Sequence, residues 1–329
     1  MVDLSTKIGT LSLKNPIIAA SSPITGNLES LLKLEDAGVG AVVLKSIFEE
    51  ELKTEAEQDL IANEEYLEHS DASIKFSSYS INYRFGEYLK LIKDAKESLS
   101  IPVIASVNCM HISSFLEYVK AIEAVEPDAI ELNYYPIAAN SKIKGKEVEE
   151  VLFDFVKKAR RATSLPLLIK MGHGYSSLSN VLKRLDEEKV DGIVLFNRFY
   201  HPDIDIEKEE ITASYPLSSE NEAWQTLRWI ALSSAEMKKS ALIANTGIFT
   251  GETVVKMLLS GAKAVEICSV LMQNGLGSCK EMIDELTSWM ERKGYSSLSD
   301  FTGKLAQEKL ENPELWERNQ FFKTITKGR

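Results

Sequence analysis

The stretch ALIANTGIFTGETVVKMLLSGAKAVEICSV, Ala241–Val270, decides how the chain folds. It opens on a short apolar run, Ala241–Ala244, turns at Asn245-Thr246-Gly247 and continues as a helical stretch, Gly251–Leu259. Ser260-Gly261 closes that stretch, as a glycine just past a last helical turn commonly does. A second apolar run, Ala264–Ile267, then ends in Cys268-Ser269. Strands that are apolar throughout are buried on both faces, and two of them joined by a helix make a parallel βαβ unit.

The same alternation extends in both directions. Strands are predicted at Pro16–Ala20, Ala41–Leu44, Val103–Val107, Ala129–Leu132, Leu167–Ile169 and Gly192–Phe196, bringing the total to eight. Helices are predicted between them at Asn27–Ala37, Ser114–Val125, Glu147–Ala162, Leu178–Lys189 and Glu222–Lys238. Eight βα units without a break in composition predict an α/β fold of the (β/α)8 TIM barrel type. We expect one domain over residues 1–329, with a core of about 15–300, an N-terminal extension and a C-terminal extension at 305–329. Pro313–Arg329 reads as an extra outer helix. A doubly wound open sheet is the alternative, but no GxGxxG follows the first strand. Two connections, Ser46–Ile101 and Arg198–Asn221, have the length of binding loops.

Composition narrows the setting. The 329 residues carry a net charge of -11, which argues against nucleic acid or an anionic membrane as partner. No apolar run approaches the roughly 20 residues that span a bilayer, and MVDLSTKIGT has no signal-peptide pattern. Three cysteines, Cys109, Cys268 and Cys279, without CxxC spacing point to the cytoplasm and to neither disulfides nor structural zinc. The four histidines, His69, His111, His173 and His201, are scattered, and His201–Asp205 reads as a polar loop rather than a metal cluster. We expect a homodimer with a small-molecule substrate.

In such a barrel the active site lies at the C-terminal ends of the strands. Those ends carry Ala20-Ser21-Ser22, Lys45-Ser46, Ser106 with Asn108 and Cys109, Asn133, Lys170, Asn197-Arg198, Asn245-Thr246-Gly247 and Cys268-Ser269. Lys45 and Lys170 each terminate an apolar strand. Lysines so placed stabilise a bound anion or act as Schiff-base nucleophiles. They are expected to add charge to the site and little packing to the core. Cys109 reads as a small buried residue, with a reactive thiol as the alternative. The loops after the seventh and eighth strands of such barrels often hold a phosphate on backbone N–H groups. The glycine and small hydroxyls found there suit that use.

Taken in order, NPIIAAS, AVVLKS, IELN, LLIKM, VLFN, TGIFTGETVVKMLLSGAKAVEICSVL and GYSSLSDFTGKL resemble the dihydroorotate dehydrogenases of the soluble class 1 type, over residues 5–305. Members of that family are (β/α)8 barrels that bind FMN and oxidise dihydroorotate to orotate in pyrimidine synthesis. The resemblance implies that Ala20, Ser21, Lys45, Ser46, Ser106, Asn133, Lys170 and Asn197 line the flavin. It implies that Ser218 or Ser219, Thr246, Gly247, Cys268 and Ser269 hold the ribityl phosphate. Lys170 would stand near the pyrimidine end of the flavin, where a cation favours the reduced form. Asn133 and Asn197 are retained substrate amides, and Arg198, in place of a serine, offers a fork for a carboxylate.

The sequence also departs from that family. Thr246 and Cys268 stand where glycine is usual. The family carries a cysteine or serine base after the fourth strand, whereas this chain reads Tyr134-Tyr135-Pro136-Ile137. Phe76-Ser77-Ser78-Tyr79 replaces an Asn-Ser-Met-Gly substrate stretch. Tyr135 would act as base only with its pKa strongly lowered, for example by Lys45. An FMN-binding protein without turnover and a Schiff-base lyase using Lys170 are the competing readings.

Overall fold

The computed structural model describes residues 2–52, 54, 70–108, 112–199, 201–213 and 217–317, the side chains of 70–80 and 112–114 excepted. Eight parallel strands form the barrel: β3 (Ile17–Ala19), β4 (Ala41–Val43), β6 (Val103–Asn108), β7 (Ala129–Tyr134), β8 (Leu167–Met171), β9 (Gly192–Leu195), β12 (Ala241–Asn245) and β13 (Ala264–Ile267). They are hydrogen-bonded in the order β4-β3-β13-β12-β9-β8-β7-β6, and pairing of β4 with β6 closes the ring.

Side-chain parity explains why these runs are apolar throughout. Alternate residues of a strand face opposite sides. Ile18, Val43, Ile104, Leu168, Val194 and Ile243 pack inside the barrel, whereas their neighbours Val42, Val103, Leu167, Ile193 and Leu242 pack outward under the helices. Each fully buried aliphatic side chain contributes about 1.5–3 kcal/mol. The helices present matching faces: Phe153 and Val156 of α4 (Gly145–Ala162), and Val181 and Leu185 of α5 (Leu178–Glu187), join the outer layer.

The N-terminal extension is a hairpin of β1 (Thr6–Ile8) and β2 (Leu11–Leu13). Its Ile8, Leu11 and Leu13 pack with Ala41, Ala129 and Ala264, the first residues of their strands, and so plug the N-terminal end of the barrel. Gly9 makes this turn at φ +56°, and a Cβ there would lie 2.3 Å from Asp191 Oδ1.

The long connections contain regular structure. After β4 come β5 (Ile47–Phe48) and the 29-residue α2 (Ser70–Ser98). The Arg198–Asn221 connection carries a hairpin of β10 (Pro202–Asp205) and β11 (Glu210–Ala213), so the His201–Asp205 stretch is mostly strand. The helix expected at Glu222–Lys238 is shorter, α6 (Ala223–Ser233). Beyond its end, Lys238, Lys239 and Ser240 give their N–H groups to the carboxylate of Asp186. Of the expected outer helix, Glu314–Glu317 is helical, and 318–329 lie outside the described residues.

Asp186 ties the end of α5 to the entry of β12. Burial alone would raise its pKa, but the donated N–H bonds outweigh burial and hold it below the ordinary 3.8. Its folded-state pKa thus lies under the unfolded one. The stabilisation is present above that unfolded value and is lost as pH falls through the folded value. Asp186→Ala should cost roughly 1–3 kcal/mol near neutrality. Urea melts should show the gap to the parent protein narrowing once pH drops below about 4.

Candidate active site

Continuing the inward parity two residues toward the C-terminal ends brings polar side chains into the barrel. Ile104 is followed by Ser106, Ala129 by Glu131, Leu168 by Lys170, Ile243 by Asn245 and Ala264 by Glu266. Ser106 and Glu131 are register partners, as are Asn245 and Glu266. All five are buried, with Glu131 at 0% and Glu266 at 1% exposure.

Lys170 Nζ donates to Glu266 Oε2 at 2.7 Å and lies 3.9 Å from Glu131 Oε1. Burial alone would favour a neutral amine, but attraction to Glu266 and Glu131 outweighs it and raises the Lys170 pKa further. Lys170 is therefore an ammonium, the wrong form for a Schiff-base nucleophile. Burial, followed by repulsion from Glu266, pushes the Glu131 carboxyl well above the usual range, against the pull of Lys170. Glu131 Oε2 and Glu266 Oε1 find no donor among the described residues. Both carboxyls thus converge on the one ammonium, and each keeps one oxygen unpartnered among the described residues.

A line of hydroxyls leads outward from this group. Ser106 Oγ donates to Glu131 Oε1 at 3.5 Å, the Ser46 and Ser106 hydroxyls are 2.5 Å apart, and those of Ser21 and Ser46 are 3.1 Å apart. The Tyr88 hydroxyl accepts from the Ser106 N–H at 2.8 Å and donates to the Ser106 carbonyl at 3.0 Å, fixing this part of β6.

Above lies a cavity of about 660 Å³ at the strand ends. Its lining holds most of the residues singled out from the sequence: Ala20, Ser21, Lys45, Ser46, Asn133, Tyr135, Lys170, Asn197, Arg198, Ser218, Thr246, Gly247, Cys268 and Ser269. Two expected residues do not line it. Ser106 sits beneath the floor, and Ser219 is exposed, giving its N–H to Glu222 at 2.8 Å. A second cavity of about 570 Å³ opens off Lys45 toward α1 (Leu28–Asp36) and α2, away from Lys170.

On one wall Asn197 Nδ2 donates to Asn133 Oδ1 at 2.8 Å. Tyr135 stands near Asn197 and Asn108 and meets Phe199 edge-on at 5.0 Å. Burial raises its hydroxyl pKa more than these amides lower it, and burial likewise raises that of Tyr134, which stacks on Phe155. Lys45, instead of lowering the tyrosine, pairs with Glu51 at 2.8 Å. The Nε of Arg198 is engaged by Glu222 at 2.8 Å, so this fork is already partly occupied by a carboxylate of the chain.

At the opposite end Thr246 and Gly247 take φ of +80° and +76°. Positive φ is strained for a β-branched residue. Thr246 is held there because its hydroxyl and the Asn245 amide both donate to the Phe196 carbonyl, at 3.0 and 2.7 Å. Gly247 cannot carry a side chain, since a Cβ would lie 2.3 Å from the Ala223 nitrogen. The N–H and hydroxyl of Ser218 both donate to Ser269 Oγ at 2.9 Å. Burial raises the Cys268 thiol pKa, with Lys170 opposing.

Cys109, His69 and His111 fall outside the described residues, and Phe76–Tyr79 lie in α2 where only the backbone is described. Glu131 and Glu266 were not anticipated. The signal was there, a carboxylate at an inward position of an otherwise apolar run in AIEL and AVEI.

A caged ammonium, paired amides and a rim of hydroxyls and backbone around one cavity define a (β/α)8 barrel of the class that holds a small molecule at its strand ends. Comparison gives the family. The family model described as dihydroorotate dehydrogenase matches residues 3–290, and the chain belongs to that family. It is 28% identical over 311 residues to the catalytic subunit of dihydroorotate dehydrogenase B (NAD(+)) from Thermoplasma acidophilum, covering 92% of this chain and 99% of the relative. It is 26% identical to the corresponding subunit from Pyrococcus furiosus, covering 91% of this chain and 97% of the relative. Dihydroorotate dehydrogenase A (fumarate) from Lactobacillus helveticus is 23% identical, with coverage of 93% and 99%.

The cage makes Lys170 a structural residue as well as a lining one, against the expectation that it adds little to the core. Lys170→Met should cost about 3–5 kcal/mol at neutral pH by leaving buried carboxylates without a cation. The deficit should shrink toward pH 4, because Glu131, whose folded-state pKa is raised, is penalised only as pH rises past its unfolded value, roughly 4.3. Thermal melts across that range check both statements.

Proposed function

We propose that the chain is an FMN-dependent oxidoreductase acting on dihydroorotate or a related small anionic dihydropyrimidine. The observation that carries this reading is the cavity wall where the Lys170 ammonium and the Asn133–Asn197 amide pair stand together. Amides offer the donors and acceptors that match the ring N–H and C=O groups of a pyrimidine. An ammonium adds a donor for an anionic or electron-rich group.

The donor set fits FMN. Lys45, Ser46, Ala20, Ser21, Asn133, Lys170 and Asn197 would hold the ring, with Ser106 supporting Ser46 from below. Ser218, Thr246, Gly247, Cys268 and Ser269 would hold the phosphate, Ser219 standing just outside. A phosphate suits hydroxyls and backbone N–H groups of this kind. We read residues 1–329 as one domain working in the cytoplasm, a setting that suits the free thiols Cys268 and Cys279. A homodimer remains part of this proposal.

FMN, when bound, supplies the hydride acceptor. The chain must bind and orient the substrate and manage the proton. Asn133 and Asn197 orient the ring, and Arg198 together with Glu222 sets the charge beside it. Proton removal is the weak step. Residues 134–137 offer no cysteine or serine, and both tyrosine hydroxyls are raised. Loss of a general base costs roughly 10²–10⁴ in rate. This same observation favours the second reading, an FMN-binding protein with no turnover of dihydroorotate.

Purified protein should be yellow and, on heating, should release FMN and no FAD, identified by chromatography. Dihydroorotate should bleach the flavin slowly without oxygen at pH 7. That rate should climb with pH as hydroxide takes the proton, without a plateau up to pH 10, the ordinary tyrosine value, since burial holds the Tyr135 hydroxyl above it. Tyr135→Phe should leave the slope unchanged. A plateau below pH 10 that Tyr135→Phe abolishes would make Tyr135 the base.

A further inference from the structure

We infer that Glu131 and Glu266 together hold one negative charge, balanced by one shared proton, so that Lys170 meets the cavity as a hydrogen-bond donor without net positive charge. Both glutamates are positioning residues, acting on the bound cofactor through Lys170. The inference rests on the proposal that the cavity takes FMN.

Three observations support it. Glu266 lines the cavity yet is 1% exposed and engages Lys170 Nζ at 2.7 Å. Glu131 stands behind at 3.9 Å from the same nitrogen and is fully buried. One oxygen of each carboxyl, Glu131 Oε2 and Glu266 Oε1, has no donor among the described residues, which a proton between them supplies. The charges then close. The ammonium is matched by one carboxylate, and the other carboxyl is neutral. With both carboxylates ionised, a net negative charge would sit inside a closed barrel, where an unbalanced charge is costly. Among the described residues, the other titratable groups that interact with the cluster are Tyr88 with Glu131, Tyr135 with Lys170, and the Cys268 thiol with Lys170 and Glu266. The thiol and both phenols have raised pKa values and add no charge near neutrality.

The consequence concerns electron affinity. An uncompensated lysine beside a flavin stabilises the electron-rich reduced form. A lysine already matched by a carboxylate at 2.7 Å does so much less. The pair also buffers the effect. If either glutamate is made neutral, the other gives up the shared proton and takes over as counter-ion.

The test uses full-length protein and four forms: parent, Glu131→Gln, Glu266→Gln and the double variant. Infrared spectra read the shared proton without any cofactor. The parent should show a protonated-carboxyl carbonyl band that is lost in each single variant, since the remaining glutamate ionises. Persistence of that band in both single variants would overturn the shared proton. FMN midpoint potentials read the charge. Each single variant should change the relative affinity for reduced over oxidised flavin by less than about threefold, and the double variant should raise it at least tenfold, about 30 mV for two electrons. An unchanged potential in a folded double variant, or a full tenfold rise in either single one, would overturn the inference. Should the double variant fail to fold, the infrared result and the single-variant potentials decide. Failure of the parent to bind FMN would instead strike the proposed cofactor, leaving the infrared result to judge the proton.

Discussion

Everything at the mouth of this barrel depends on how it accommodates a lysine in its interior. Lys170 sits on an inward position of β8, one layer above packed aliphatic side chains. Without a counter-charge an ammonium there would be neutral or the barrel would be unstable. Glu266 and Glu131 provide the counter-charge from β13 and β7, on either side of the interior. Their own burial then dictates that one of them stays protonated. The Ser106, Ser46 and Ser21 hydroxyls satisfy further polar capacity and join this buried group to the cavity wall.

This arrangement shapes the rest of the site. Lys170 is drawn toward β13, and its register partner Asn133 on the neighbouring β7 stands beside it, joined to Asn197. The other basic groups are similarly committed, Lys45 to Glu51 and Arg198 to Glu222. Those two pairs are partly exposed and screened by water, so they contribute little to stability, but they still temper the positive charge of the cavity. The barrel thus presents its cations as oriented donors.

Much of the barrel was legible because parity and apolarity go together. All eight strands lie where continuous apolar runs predicted them, most of them within one or two residues. The glycine turn at Gly261, with φ of +119°, closes α7 (Gly251–Ser260) where Ser260-Gly261 indicated. The lining residues were legible because strand ends are fixed by where apolar runs stop. Other features were not. Local pattern carries no signal for α2 ending near β6, because that helix is amphipathic only weakly and its burial is decided by distant partners. Glu131 and Glu266 were visible as letters, but each lies inside an apolar run, and only the closing of the ring brings both to the same nitrogen. Arg198 read as available for a ligand because its partner, Glu222, lies 24 positions away in sequence.

The hairpin of β1 and β2 has a consequence for traffic. Ile8, Leu11 and Leu13 fill the N-terminal end, and the layer of Ile18, Ile104, Leu168 and Ile243 above them is aliphatic and fully buried. Among the described residues, these buried side chains close the barrel axis from that end. A molecule that reaches Lys170 therefore arrives from the C-terminal mouth and leaves by it. Two reactants that both need this wall must take turns, the first departing before the second can come in.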